Sequence, residues 1–128
     1  MVGGQAQTSA SIGRHSELIA QTALLANGYS VLEPIIPEAY DVAVTRKGDD
    51  KIIRIQVKSI IKREKSGNTW YVIRGKKNNG KVYDLDDCDY FIGVYGNEVY
   101  MTPNRCISEY WTAVDKADEN WERLKMEI

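Results

Sequence analysis

Two short apolar runs joined by a loop rich in glycine and aspartate place the strongest constraint on how this chain folds. The runs are residues 40–44 and 52–59, and their composition and spacing predict a β-hairpin. In a hairpin the start of the first strand lies beside the end of the second, so Asp41 is expected to meet Gln56 and Lys58. Gln56 and Lys58 are two apart and therefore project from the same face of their strand.

The three side chains would place an acid, an amide oxygen and an amine at one point of the sheet. Such a group suits the binding of a divalent cation beside a water molecule that must lose a proton. Mg²⁺, or Mn²⁺ in its place, prefers hard oxygen ligands, which Asp41, the amide of Gln56 and the backbone carbonyl of Val57 would supply. Lys58 would orient or deprotonate the water, or stabilise charge that develops on a phosphate. Glu17, in the first predicted helix, is a candidate second carboxylate. The same alternation of residues is also typical of any half-exposed strand.

Size and composition indicate an ordinary globular protein. The chain has 128 residues, 43% of them hydrophobic and 27% charged. We expect a disordered tail over residues 1–12 and one domain over residues 13–128. We expect no membrane span, because no run of about 18 apolar residues occurs. We expect no secretion signal, because residues 1–11 lack a charged start and an apolar stretch. Cys88 and Cys106 lack the spacing of a zinc site. Because no secretion signal is expected, we predict that both thiols are reduced and that the protein is cytoplasmic.

The element order predicts an α/β (α+β) domain. A first helix is expected over residues 13–27, with Ser11 as its N-cap and Gly28 just after its end. Strands are predicted over 29–33, 41–45, 52–61, 69–73, 89–95 and 98–102, with basic or polar loops over 62–68 and 76–80 and a closing helix over 111–126.

Charge is distributed unevenly along the chain. Residues 62–81 carry seven basic side chains and one acidic one, whereas residues 82–128 carry four basic and eleven acidic ones. A local basic patch can bind phosphates although the whole chain has a net charge of −1. The side chains expected to contact DNA are Arg14, Ser59, Lys62, Arg63, Lys65, Arg74, Lys76, Lys77 and Lys81. Plain solvated loops would also account for the basic segment, and the acidic half would also suit a protein that mimics nucleic acid.

The ordered set of motifs resembles the PD-(D/E)XK nuclease superfamily. The set comprises Gly13-x-x-x-Glu17 in a helix, then Tyr40-Asp41, Gln56-Val57-Lys58-Ser59 and Asp89-Tyr90-Phe91. It is most similar to the small branch of group I intron homing endonucleases, in which Gln replaces the second acid. The proline that often precedes the aspartate is absent, since Tyr40 stands there.

The resemblance implies a restriction-endonuclease-like fold, with a central mixed β-sheet flanked by helices. It implies Mg²⁺-dependent hydrolysis of DNA by homodimers or homotetramers. Matched position by position, Asp41 and Gln56 are the metal ligands and Lys58 is the catalytic lysine. Glu17 takes the position of the first-helix glutamate and would reach the metal through water. A site-specific endonuclease, a Holliday-junction resolvase and an inactive DNA-binding module on the same fold all remain open.

Overall fold

The computed structural model describes residues 6–128 as a β-rich chain that begins with one long helix. Helix α1 spans Ser9–Ala26, and a short helix α2 spans Ala117–Asn120 after a 3₁₀ turn at Val114–Lys116. The strands are β1 Tyr29–Leu32, β2 Val42–Arg46, β3 Ile53–Ser59, β4 Ile61–Lys65, β5 Asn68–Arg74, β6 Tyr90–Tyr95, β7 Glu98–Pro103, β8 Glu109–Ala113 and β9 Glu122–Leu124. No helix within residues 6–128 is long and apolar enough to cross a membrane.

The strands form two sheets. The larger has six strands in the order β1-β2-β3-β6-β7-β9, and the smaller has three in the order β4-β5-β8. Strands β3 and β6 are parallel and every other pair is antiparallel, so the large sheet is mixed. This confirms the predicted fold class of a mixed sheet flanked by helix.

Each face of the large sheet has its own core. On one face, Leu24 and its neighbours in α1 pack on Val44, Ile55 and Ile92. On the other face, residues of the small sheet and the C-terminal segment pack on Phe91 and Tyr100. Alternation along a strand explains the division, because adjacent side chains point to opposite faces. Gln56 and Lys58 therefore belong to the face that carries the small sheet.

The two sheets lie in close contact at Gly93 of β6. A Cβ atom there would lie 2.6 Å from Ile73 Cδ1 and 2.8 Å from Ile60 Cγ1, which is closer than side chains pack. Ile60 separates β3 from β4, so one continuous segment passes from the large sheet to the small one. The absence of a side chain at residue 93 lets this crossing lie directly against β6.

The closing helix predicted over 111–126 is wrong. Residues 109–113 pair with β5, and residues 122–124 pair with the edge of β7. Tyr110-Trp111-Thr112 is rich in aromatic and β-branched residues, which favour a strand once a partner strand is available. Trp121 and Leu124 are buried, as predicted, but they are not carried on one helix.

Two further boundaries differ from the prediction. Helix α1 begins at Ser9, and its N-cap is Thr8, whose hydroxyl accepts a hydrogen bond from the Ser11 amide at 3.1 Å. Residues 9–12 of the expected tail are therefore helical, and residues 1–5 of that tail lie outside the described residues. The expected loop over 62–68 is instead the β4–β5 hairpin, which turns at Ser66 and Gly67.

Candidate active site

The predicted hairpin brings Asp41 and Gln56 opposite each other. Val42 of β2 pairs with Ile55 of β3, so Asp41, one residue earlier, stands across from Gln56. The Asp41 amide donates to the Ile55 carbonyl at 2.9 Å. The Val57 amide donates to Asp41 Oδ2, also at 2.9 Å. The N–H and C=O of one strand residue point to the same side, so the Val57 carbonyl faces Asp41 as well.

The carboxylate of Asp41 lies in partly desolvated surroundings. Burial raises the pKa of Asp41 above its ordinary value, although the Val57 amide and the charge of Lys58 act in the opposite direction. Loss of water disfavours the charged form of a carboxyl group, and a nearby cation would favour that charged form again. The second oxygen, Oδ1, accepts no hydrogen bond from any residue between 6 and 128. This oxygen is therefore open to a ligand.

The ammonium group of Lys58 lies on an aromatic ring. Its Nζ atom is 4.9 Å from the centroid of the Tyr83 ring and 3.5 Å from the carbonyl oxygen of Lys76. Burial lowers the pKa of Lys58, the charge of Asp41 opposes this change, and the charge of Arg74 adds to it. A raised carboxyl pKa beside a lowered amine pKa is a pattern that clusters at catalytic sites.

Glu17 approaches Asp41 from α1. It lines a cleft with Asp41, Arg14 and Glu33. Burial, and then the charge of Asp41, raise the pKa of Glu17, whereas Arg14 at 3.7 Å lowers it. The two carboxylates are thus close enough to repel each other, which is the arrangement that a shared cation relieves.

Asp41 lies between two clefts. The first, with Glu17, faces α1, and the second is lined by Gln56, Lys58 and Tyr83. The structure brings Asp41, Gln56 and Lys58 together in the second cleft, and it places Glu17 on the far side of Asp41. Within residues 6–128 no three His, Cys, Asp or Glu side chains converge as a metal-binding group. The donors predicted from the sequence are two carboxylates, one amide oxygen and one backbone carbonyl, all hard oxygens that suit Mg²⁺ or Mn²⁺.

The basic residues predicted to contact DNA lie in several different surroundings. Arg74, Lys76, Lys77 and Ser59 line a third cleft with Lys58. Ser59 also shares a 2.7 Å hydrogen bond with Ser16 of α1. Lys77 is paired with Asp87 at 2.7 Å.

Others of these residues lie away from that cleft. Arg14 is paired with Glu33 at 2.7 Å and Arg63 with Glu109 at 3.2 Å. Lys62 lies over the ring of Tyr95, Lys65 lies over the ring of Trp111, and Lys81 is exposed. Contact of these side chains with DNA stays a prediction.

Two residues of the clefts were missed by the sequence reasoning. Tyr83 supports Lys58, and Glu38 lines both clefts that adjoin Asp41. Tyr83 comes from a segment whose structure the sequence left undecided, 25 residues after Lys58. Glu38 directly follows Pro37 and stands three residues before Asp41. An acidic side chain so close to the predicted metal ligand is the signal that could have identified it.

Comparison with known proteins agrees with this fold. The chain is similar in structure to a bacterial homing endonuclease, I-Ssp6803I, with a TM-score of 0.68 and 23% sequence identity. The match covers 84% of this chain and 79% of that one, and shows a common fold. No curated protein matches the chain significantly. The family described as PD-(D/E)XK endonuclease matches residues 7–122, nearly the whole chain. The chain therefore belongs to the PD-(D/E)XK endonuclease family.

Proposed function

We propose that this nuclease is a metal-dependent endonuclease that hydrolyses phosphodiester bonds in DNA, and that it is of the site-specific or homing type. The observation that carries the proposal is the convergence of Asp41, Gln56 and Lys58 in one cleft, with Asp41 Oδ1 open. The homing type is supported by the structural likeness to I-Ssp6803I. A cytoplasmic location remains a prediction, which rests on two cysteines that form no disulfide.

The side chains divide the work between holding a cation and handling charge on the phosphate. Asp41, the Gln56 amide oxygen and the Val57 carbonyl would hold Mg²⁺ or Mn²⁺, with Glu17 contributing through a water. The bound cation would supply Lewis-acid polarisation of the phosphodiester. Lys58 stabilises negative charge as it develops on the phosphate, or takes a proton from the attacking water. Arg74 and Lys76, beside Lys58, bind the neighbouring phosphates.

Cleavage of supercoiled plasmid tests this proposal. With Mg²⁺ or Mn²⁺ the wild-type protein should cut, and excess EDTA should stop the reaction. Asp41→Asn and Lys58→Ala should each lose at least about 100-fold in rate, the typical cost of removing one charge-stabilising group. Asp41→Asn keeps an oxygen that can accept the Val57 amide, so its fold is preserved. Lys47→Ala, on the exposed hairpin loop, is the control and should cut normally. Equal cutting by wild type and both site variants would overturn the assignment.

An inactive DNA-binding module is the second candidate, and Gln56 is the observation that favours it. A neutral amide opposite Asp41 supplies less negative charge for a cation than the usual second acid would. Gln56→Glu distinguishes the two candidates in a thermal melt. If the site holds Mg²⁺, the ion should raise the Tm of the wild type and raise that of Gln56→Glu further, because binding only to the folded state stabilises it. Asp41→Asn should show no such rise. A binding module would bind DNA equally well in EDTA and show no Mg²⁺ effect on Tm.

A further inference from the structure

The small sheet has an outer face that none of the roles proposed above explains. Tyr71, Ile73 and Tyr110 point inward and join the core beneath the sheet. Alternation along β5 and β8 therefore directs Trp70 and Trp111 outward. Both tryptophans are only half-buried, and their ring centroids are 6.0 Å apart in an edge-to-face arrangement.

Two cations of β4 lie on the indole of Trp111. The guanidinium of Arg63 and the ammonium of Lys65 are each 5.3 Å from the centroid of the Trp111 ring. The indole nitrogens are held from within the sheet, since Trp70 Nε1 donates to the Lys65 carbonyl and Trp111 Nε1 to Glu109, both at 3.1 Å. Both rings are therefore fixed, and the ring of Trp111 holds two positive charges in place at the surface.

This outer face continues from the candidate active site. Strand β4 follows β3 after a single residue, and Ile61 at its start lines the same cleft as Lys58 and Arg74. Lys65 is seven residues beyond Lys58. At about 3.3 Å per residue the separation is at most about 23 Å. At a rise of about 3.4 Å per base pair along the duplex, this is at most about seven base pairs.

We propose that the outer face formed by Arg63, Lys65, Trp70 and Trp111 binds the backbone of duplex DNA on one flank of the cut site, up to about seven base pairs from it. The inference rests on the proposed function in taking DNA as the substrate. Charge identifies the occupant, because these two cations and Arg74 outnumber the single acid, Glu109, on this face. A second copy of the chain placed face to face would bring Arg63 and Lys65 against the same cations, and such like-charge contact is unfavourable.

The strand itself provides a matched control for the test. Lys62 lies between Ile61 and Arg63 on β4, but its ammonium lies over Tyr95, on the opposite face of the small sheet. Arg63→Gln with Lys65→Gln removes both charges from the outer face while keeping side chains that still cover Trp111. Lys62→Gln removes one charge of the same segment from the other face.

Binding to a duplex of about 30 base pairs of arbitrary sequence is measured by fluorescence anisotropy in EDTA at several salt concentrations. The slope of log affinity against log salt should fall by about 2 in the double variant, and affinity should fall about tenfold. Lys62→Gln should change the slope by much less than about 1. DNA should also protect tryptophan from acrylamide quenching in the wild type, because Trp121 is already buried and only Trp70 and Trp111 are accessible.

Each of the other outcomes has a definite meaning. An unchanged slope in the double variant, or an equal loss in Lys62→Gln, overturns the inference and leaves the proposed nuclease intact. Normal DNA binding by a double variant that has lost its oligomeric state in sedimentation assigns the face to a second copy and also overturns it. Failure of the wild type to bind any duplex would instead contradict the proposed function.

Discussion

The ammonium group of Lys58 is held by contacts from residues far along the chain. The ring below it, that of Tyr83, is itself buried and meets the ring of Phe91 edge to face, with the two centroids 5.4 Å apart. The ring therefore cannot move away easily, and it offers Lys58 a face that attracts a cation. A fixed lysine reaches the phosphate without first having to be ordered, which is the advantage of a preorganised site.

Substitution of Tyr83 tests this support. Tyr83→Phe keeps the ring face and should retain near wild-type cleavage. Tyr83→Leu removes it and should lower kcat about 3- to 30-fold, as expected for a cation–π contact of about 0.5–2 kcal/mol. KM should change little, because the residue acts through Lys58. Single-turnover cleavage kinetics provide the measurement, with urea unfolding to verify that both variants fold. Equal losses in the two variants would assign the effect to the hydroxyl group instead.

At the scale of the elements, the junction between β3 and β6 is the contact that places the site in the middle of the sheet. These two parallel strands come from distant parts of the sequence. Arg54 and Asp89 join them where they begin. The Arg54 amide donates to Asp89 Oδ2 at 2.8 Å, the Asp89 amide donates to the Arg54 carbonyl at 2.8 Å, and the side chains form an ion pair at 3.2 Å.

Stability should respond to pH through Asp89. Burial raises the pKa of Asp89, but hydrogen bonds and charge from Arg54 outweigh it, and the pKa lies below its ordinary value. A depressed folded-state pKa stabilises the protein above the unfolded value of about 4, and this stability is lost as pH falls through the folded value. Because 37% of the side chain is exposed, the effect is about 1 kcal/mol or less. Urea unfolding between about pH 6 and pH 3 should show a smaller loss in Asp89→Asn than in wild type; an equal loss would contradict this.

The approach of the two sheets gives a second prediction at this scale. Gly93→Ala should destabilise the protein by about 1–3 kcal/mol, because its Cβ would overlap Ile73 and Ile60. Gly13→Ala is the matched control. It lies in α1 with nothing within 4 Å of the added carbon, and it should stabilise the helix by up to about 1 kcal/mol. Urea unfolding of both variants measures the difference, and equal stability of Gly93→Ala and wild type would show that the two isoleucines yield.

At the scale of the whole molecule, each chain presents one cleft that holds Asp41, Gln56 and Lys58. One such cleft can address one strand of a duplex at a time. The charge distribution also orients the molecule on DNA. Residues 82–128 carry an excess of acidic side chains, so the surface that they form is unfavourable to DNA. The basic third cleft and the outer face of the small sheet are where phosphates would be accepted.

Cleavage of both strands therefore predicts an assembly of two or four copies. Sedimentation equilibrium should find dimers or tetramers at concentrations where supercoiled plasmid is converted to the linear form. A protein that is monomeric throughout while producing linear DNA in a single binding event would contradict the prediction. A protein that stays monomeric and produces nicked circles alone would also contradict the predicted assembly.

The sequence by itself determined the contacts that depend on a few neighbouring residues. Asp41 meets Gln56 because a hairpin register joins residues that a short loop separates, and strand alternation puts Lys58 on the same face as Gln56. The helix that carries Glu17 and the turn at Gly96 are local in the same sense, since periodicity or turn chemistry specifies them.

Only the tertiary structure decided the contacts whose partners are distant in the chain. Residues 109–113 became a strand because β5 offers them a ladder, and that partner overrides the helical spacing of Trp111, Val114 and Trp121. The position of Tyr83 under Lys58 also depends on tertiary packing, as does the choice of which face of the small sheet, that of Lys62 or that of Arg63, lies toward the large sheet. Such contacts arise from packing between elements, and local propensity carries no information about which element will be the partner.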